Sequence, residues 1–460
     1  MALKIGRGGM EKKDIIFQFV RKGFYGLEKE TLRVCPDGFL ADTTHPFANN
    51  PNIERDFCEN QTEFLTDVWD CADSAWEQLK KLQQQAVRIL KTRETGEELL
   101  WPFSNPPYIR SEKEIPIADF QGKQRSKIEY RNYLAEKYGK KKMLYSGIHF
   151  NFSFSEEMFD ILFQQGNDPS LEECKNNVYL DLAKKVMKYD WLLVYLMAAS
   201  PVMDGSFRSS QKMGTEMKPQ YSSYRCGEKG YWNTFAPILD YRSLDHYIDS
   251  IESYVTTGKL LEAKELYYPV RLKPKGENSL DNLRKGVDHI ELRMLDLNPF
   301  SPVGITKEDL DFLQLFLFYL TAQKEGTFSK QEQEWALRNA KKAAEFDDHS
   351  IQIITGVNQC APLRKLALSL LTDMEQFFRD GNNPSAVKSI QFQQAKVSCP
   401  QERYAARVQK RFGRHFVQKG IQLAQDYAEK MEEEELIYVR NIWRDDSEQT
   451  RDQTISEGIF

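Results

Sequence analysis

Two segments, SGIHFNFSF at residues 146–154 and DHIELRML at residues 288–295, alternate apolar and polar side chains. On an extended strand successive side chains point to opposite faces, so His149 and Asn151 share one face of the first segment. Glu291 and Arg293 share the corresponding face of the second. Both segments therefore predict strands with one apolar face for a core and one polar face for chemistry.

Helical periodicity surrounds these strands. It covers residues 72–98, 171–199, 306–325, 329–346, 360–379 and 401–434. Because strands and helices are mixed without a strand–helix–strand rhythm, the sequence predicts the α+β class. No G-x-x-x-x-G-K-[ST] loop and no strand-following G-x-G-x-x-G occurs, which excludes a P-loop and argues against a dinucleotide-binding fold.

The composition is that of a globular protein. The 460 residues are 41% hydrophobic and 28% charged, and the net charge of -5 gives no basic field for nucleic acid. No apolar run is long enough to span a membrane, and the N-terminal stretch lacks a signal-peptide core. The seven cysteines form no C-x-x-C pair. We therefore expect free thiols and a cytoplasmic location.

Acidic residues supply the first candidate site. In YGLEKETLRV (25–34), Glu28 and Glu30 are two apart, so a strand would place both carboxylates on one face, about 6–7 Å apart. Carboxylates at that spacing repel unless cations lie between them, and Mg²⁺ prefers such oxygen ligands. The same segment also has good helix propensity, so a charged surface helix is an open alternative.

The stretch ERDFCENQTEFL (54–65) adds Asp56, Glu59 and Glu63. One straight strand would place Asp56 and Glu63 on opposite faces, so their convergence needs a bend or separate elements. A solvated acidic stretch is the alternative. Likewise, His149 could be structural, and the Glu291–Arg293 pair could be a plain ion pair instead of a metal ligand beside a cation for a phosphoryl group.

Taken together and in this order, these segments resemble the glutamate–cysteine ligase (γ-glutamylcysteine synthetase) family of the bacterial type, in the glutamine synthetase-like superfamily. The resemblance covers residues 23–305, and beyond it only a helical character is shared. The matching stretches are GLEKETLRV (26–34), DFCENQTEFLT (56–66), LWPFSNPPYI (100–109), YRNYLAEKYG (130–139), SGIHFNFSF (146–154), ASPVMDGSF (199–207), YRCGEKGY (224–231), ELYYPVR (265–271) and IELRMLDLNPFSPVGI (290–305).

The resemblance implies a curved antiparallel sheet that forms a funnel surrounded by helices. It implies one catalytic domain over residues 1–460, with core motifs at 23–305 and a helical C-terminal region at 306–460. The implied magnesium ligands are Glu28, Glu30, Asp56, Glu63, His149 and Glu291. Arg293 and Glu291 are the implied catalytic residues. The implied substrate pocket consists of Tyr130, Leu134, Arg225, Tyr231 and Tyr267.

The implied reaction is the ATP-dependent joining of glutamate and cysteine, with Mg²⁺ as the metal and Mn²⁺ as a substitute. The expected partners are these small molecules, without nucleic acid or membrane, and the expected state is a monomer or weak homo-oligomer. Three alternatives stay open: a γ-glutamyl ligase for another amine, a non-catalytic binding homologue, and the ligase half of a bifunctional glutathione-producing enzyme.

Overall fold

A computed structural model describes residues 11–47, 50–92, 96–120, 125–208 and 212–434. Its main feature is a seven-stranded sheet in which all neighbouring strands are antiparallel. The strands of this sheet are Gly23–Val34 (β1), Ile53–Arg55 (β2), Gln61–Leu65 (β3), Leu99–Leu100 (β4), Gly147–Phe154 (β5), Val270–Lys273 (β6) and His289–Asp296 (β7). Their order is β2-β3-β1-β5-β7-β6, and β4 pairs with β1.

Helices cover the apolar face of this sheet and make up most of the chain after residue 305. The helices are Lys12–Phe19 (α1), Ala72–Lys91 (α2), Ser126–Tyr138 (α3), Glu156–Gln165 (α4), Leu171–Met197 (α5), Leu244–Thr256 (α6), Leu280–Leu283 (α7), Lys307–Ala322 (α8), Lys330–Ala343 (α9), Leu363–Asp380 (α10), Pro384–Ser398 (α11), Tyr404–Phe412 (α12) and 416–434 (α13). The predicted α+β class, with an antiparallel sheet and surrounding helices, is confirmed.

Aromatic side chains join the sheet to its helices. Phe150, Phe152 and Phe154 project from β5 into the main core, as the alternating pattern predicts, and each is almost fully buried. Phe318 of α8 meets Phe152 and Phe154 edge-on, with ring centroids 5.6 and 5.2 Å away. Since burial of one such ring is worth about 1.5–3 kcal/mol, this contact fixes which face of β5 is left for the site.

The predicted helix boundaries are correct to within a few residues at 171–199, 306–325 and 329–346. Two predicted helices differ from the structure. The helix predicted over 72–98 ends at Lys91, and Leu99 already belongs to β4. The helix predicted over 401–434 is divided into α12 and α13 by a break at residues 413–415. The C-terminal region also contains a hairpin that the sequence analysis missed, formed by Gln352–Gly356 (β8) and Gln359–Pro362 (β9).

One continuous apolar core includes side chains from both sides of residue 305, from Ile15 in α1 to Ile390 in α11. That core supports the predicted single-domain organisation, which remains a prediction for residues 1–460 because the described part ends at 434. Among the described residues, every helix is too short or too polar to cross a lipid bilayer.

Candidate active site

The polar face of the sheet, together with α3, encloses a cavity of about 270 Å³. Strands β1, β3, β6 and β7 each contribute a charged side chain to its wall, and β5 contributes His149. Eleven of the residues predicted from sequence line it: Glu28, Glu30, Asp56, Glu63, Tyr130, Leu134, His149, Tyr231, Tyr267, Glu291 and Arg293. The remaining one, Arg225, lines a smaller cavity that shares Tyr231, Tyr267 and Arg293 with the first.

The strand register explains why the acidic residues meet. Glu30 on β1 is directly opposite Glu63 on β3, and Glu28 is directly opposite His149 on β5. Asp56 lies in the turn after β2, so it and Glu63 belong to separate elements, which is one of the two arrangements that their spacing requires. The charged surface helix considered for Glu28 and Glu30 is wrong, because both residues are on a strand and face the cavity.

Glu28, His149 and Glu291 form the tightest cluster. One ligand atom from each can be chosen so that all three lie within 4.8 Å of one another. His149 Nδ1 is 2.9 Å from Glu28 Oε2, and Asn151 Nδ2 donates to Glu28 Oε1 at the same distance. His149 Nε2 and Glu291 Oε2 are buried without a hydrogen-bond partner in the described residues. These orphaned atoms and the oxygen-rich set fit a divalent cation.

The histidine lies opposite a β-bulge. The pairing of β5 with β7 shifts register between Ile148 and Phe150, so that Arg293 and Met294 of β7 lie opposite His149 alone. Bulges next to functional sites redirect side chains of the bulged strand, which here is the strand that carries Arg293. Burial, followed by the nearby positive charge of Arg293, lowers the pKa of His149 to about 4. The imidazole is therefore neutral at pH 7, as a metal ligand must be.

The other carboxylates are crowded. Burial and the neighbouring Asp56 raise the pKa of Glu30 to about 8. Burial also raises the pKa of Asp56, and burial together with Asp56, Glu28 and Glu30 raises the pKa of Glu63 well above its ordinary value. Each of these shifts disfavours the charged form, so the cluster carries its full negative charge only when cations offset the repulsion.

Cations line the opposite side. Arg293 Nη1 donates to Glu291 Oε1 at 2.8 Å, and Lys273 Nζ is 3.5 Å from the same oxygen. Burial alone would raise the pKa of Glu291, but Arg293 and then Lys273 outweigh it and hold that pKa well below its usual range. Glu291 is thus a carboxylate even though its side chain is fully buried.

Helix α3 and two tyrosines form the third wall. Residues 127, 130, 131 and 134 of α3 all line the cavity, because this spacing places them on one helical face. The rings of Tyr231 and Tyr267 pack with centroids 4.2 Å apart. Arg225 donates through Nη1 to the carbonyl of Arg293, and its Nε has no partner in the described residues. An aromatic wall beside an unsatisfied guanidinium N–H suits a small carboxylate-bearing molecule.

Glu59, which the acidic stretch singled out, and Cys226, one of the seven cysteines, lie outside this cavity. Glu59 accepts from Arg55 and from the backbone N–H groups of His45 and Asp119, so it holds three chain segments together. Cys226 is buried, and its thiol donates to the carbonyl of Met294. Burial raises the pKa of Cys226 to about 12, which makes the thiol unreactive.

Six further residues that were not predicted from the sequence line the cavity: Phe57, Lys127, Arg131, Met143, Lys264 and Lys273. Two signals could have found some of them. Lys127 and Arg131 are at helical spacing from Tyr130, and Lys273 follows Arg271 by two on an alternating strand.

Known proteins share sequence similarity with this chain. The family model for glutamate–cysteine ligase matches residues 12–261 and 257–343. The chain is 36% identical over 446 residues to the glutathione biosynthesis bifunctional protein GshAB of Listeria monocytogenes, covering 93% of this chain and 57% of that protein. The chain thus spans between about two fifths and three fifths of the length of the curated bifunctional relatives it matches.

Solved structures share the fold. The bifunctional glutathione synthetase of Pasteurella multocida superposes with a TM-score of 0.77 at 27% identity, over 91% of this chain and 54% of that one. The glutamate–cysteine ligase of Francisella tularensis, solved with AMP, gives a TM-score of 0.78 at 23% identity over 89% of both chains. At that identity the second comparison supports the fold alone. The family model and the Listeria relative together establish that this chain belongs to the glutamate–cysteine ligase family.

Proposed function

We propose that the chain is an ATP-dependent ligase that joins the γ-carboxylate of glutamate to the amino group of cysteine, giving γ-glutamylcysteine for glutathione synthesis. The observation that carries this proposal is the convergence of acidic side chains from separate segments on one cavity, opposite the partly buried Arg293. Membership in the glutamate–cysteine ligase family supports the substrates.

The chemistry requires that the γ-carboxylate gain a leaving group. In the proposed reaction it attacks the γ-phosphate of ATP to give γ-glutamyl phosphate and ADP, and the neutral amine of cysteine then displaces phosphate. Glu28, Glu30, Asp56, Glu63, His149 and Glu291 are the proposed ligands of Mg²⁺, or of Mn²⁺ in its place. Bound there, the metal would offset the charge of the nucleotide phosphates.

The protein's own groups orient and stabilise the reactants. Arg293 is the proposed cation for the transferring phosphoryl group, and Glu291 fixes it through a 2.8 Å hydrogen bond. The pocket formed by Tyr130, Leu134, Tyr231 and Tyr267, with Arg225 behind it, is proposed to hold the incoming amino acid.

A cytoplasmic location is part of the proposal. All seven cysteines are unpaired, which fits a reducing compartment that contains ATP. The expectation of a monomer or weak homo-oligomer stays a prediction, as does the expected absence of nucleic-acid and membrane partners.

The decisive test is product identification. The purified chain is incubated with ATP, Mg²⁺, glutamate and a panel of amines including cysteine and 2-aminobutyrate, and products are identified by mass spectrometry. We expect ADP release coupled to a γ-linked glutamyl product, fastest with cysteine. ADP release that ignores cysteine would reject this acceptor, and absence of glutamate-dependent ADP release would reject the ligase.

A further inference from the structure

Lys273 is a charged residue of the cavity wall to which the proposed mechanism gives no role. It is the last residue of β6, where Val270 and Leu272 point into the core while Arg271 and Lys273 alternate to the polar face. Its side chain is 15% exposed and lines the same cavity as the acidic cluster. A lysine in this position is neither an ordinary surface charge nor part of the core.

Its neighbour on the strand has a clear structural role, and Lys273 does not. The guanidinium of Arg271 donates to the carbonyls of Leu266 and Lys264, so it anchors the segment that carries Tyr267. Lys273 Nζ makes no hydrogen bond to any of the residues that the structure describes. The nearest carboxylate oxygen among the described residues is Glu291 Oε1 at 3.5 Å, beyond good hydrogen-bond length, and an ammonium has three donors to satisfy.

The charged side chains that line the cavity change from acidic to basic across the sheet. Acidic groups occupy β3 and β1, and cations occupy β7 and β6, with Glu291 between them. Arg293 and Lys273 both approach Glu291 Oε1, at 2.8 and 3.5 Å, so their nitrogens are no farther apart than the sum of these distances. Two cationic heads at such a separation can both reach one phosphoryl or carboxylate group.

We propose that Lys273 is a further catalytic residue which, together with Arg293, binds one oxyanion of the bound substrates. The oxyanion is either the phosphoryl group in transfer or a carboxylate of the amino-acid substrate. This inference rests on the proposed function and deepens it, because it identifies a second cationic contact for the anion beside Arg293. Glu291 then acts as the shared counter-ion that holds both cations in place before substrate arrives.

The test compares Lys273→Gln and Lys273→Arg in the full chain. Lys275→Gln is the matched control, since Lys275 is an exposed lysine two residues further along that does not line the cavity. Three measurements are needed for each variant: steady-state ADP release with kcat and with KM for ATP and glutamate, calorimetric binding of glutamate and of a non-hydrolysable ATP analogue with Mg²⁺, and the thermal midpoint.

We expect Lys273→Gln to lose about 10²–10³ in kcat/KM, Lys273→Arg to regain at least about tenfold, and Lys275→Gln to match the wild type. Weaker binding of the ATP analogue with unchanged glutamate binding assigns the phosphoryl group. Weaker binding of glutamate with unchanged binding of the ATP analogue assigns the carboxylate. Activity of Lys273→Gln within about threefold of wild type would overturn the proposal, as would equal losses in both variants accompanied by a lowered thermal midpoint.

Failure of the proposed function is distinguishable from failure of this inference. If the wild-type chain releases no ADP with glutamate and any amine, the ligase activity fails. The calorimetric comparison still tests Lys273 in that case: weaker binding of either probe by Lys273→Gln supports the oxyanion contact, and unchanged binding of both overturns it.

Discussion

Replacing Glu30 by glutamine is expected to stabilise the metal-free protein at pH 7 while weakening its response to Mg²⁺. Glu30 is 8% exposed, faces Glu63 across the strand pair, and accepts one hydrogen bond, from the backbone N–H of Gly147 at 2.9 Å. Glutamine has nearly the same shape and can accept that hydrogen bond. The substitution therefore removes the charge and leaves the contact.

The size of the expected stability change follows from the pKa of Glu30. Burial, and then Asp56, raises the pKa of Glu30 from 4.5 to about 8, so the folded state favours the protonated form. Stability from this group is fully present below pH 4.5 and is lost as the pH rises towards 8. At pH 7 the stability lost corresponds to the roughly 2.5 pH units between 4.5 and 7, or about 3 kcal/mol as an upper bound. Because neighbouring carboxylates share the repulsion, we expect the metal-free variant to gain about 1–3 kcal/mol.

In Mg²⁺ the wild type should instead be more stable than Glu30→Gln. Binding at a hundredfold excess over Kd stabilises a protein by about 2.7 kcal/mol, and a variant that lacks one ligand gains less. The assay is urea unfolding followed by tryptophan fluorescence, in EDTA and in Mg²⁺, at pH 7 and pH 5. Glu54→Gln is the control, since Glu54 is exposed on β2 beside the same acidic group. A metal-free Glu30→Gln protein less stable than wild type at pH 7, with Glu54→Gln neutral, would refute the reasoning.

Three further outcomes are expected. Arg293→Met should lower kcat by about 10²–10³ in the ADP-release assay, because a preorganised cation is lost, and wild-type turnover would remove Arg293 from the chemistry. Glu291→Gln should abolish turnover while the far-ultraviolet circular dichroism stays native; an active variant would exclude Glu291 as a required ligand. Burial lowers the pKa of His45 to about 4, so wild-type stability should fall as the pH drops from 6.5 towards 4, where the unfolded chain takes up the proton first. His45→Gln should flatten that fall in urea-midpoint measurements, and an unchanged slope would contradict it.

Much of the site was predictable because its residues lie on strands whose apolar and polar side chains alternate. His149 and Asn151 on β5, and Glu291 and Arg293 on β7, share one face by sequence alone, and the structure places all four around the acidic cluster. Successive side chains on a strand point to opposite faces, so once an aromatic row is known to lie in the core, the residues between them must lie on the other face.

The remaining features depend on contacts between distant segments. Glu59 has the same local sequence context as Asp56 and Glu63, and only the fold shows that it pairs with Arg55. Lys273 looks like one of many lysines until β6 pairs with β7 and places it beside Glu291. The β8–β9 hairpin was missed because its strands are short and largely exposed, so they lack the apolar alternation that marks β5.

The central claim is that separate acidic segments converge to hold divalent cations at the phosphate end of a nucleotide. The most direct test is anomalous X-ray scattering from crystals grown with Mn²⁺ and a non-hydrolysable ATP analogue. The account predicts a manganese peak bounded by Glu28, His149 and Glu291, with the nucleotide phosphates beside it. Manganese bound only outside this cavity, or phosphates placed away from the acidic cluster, would contradict it.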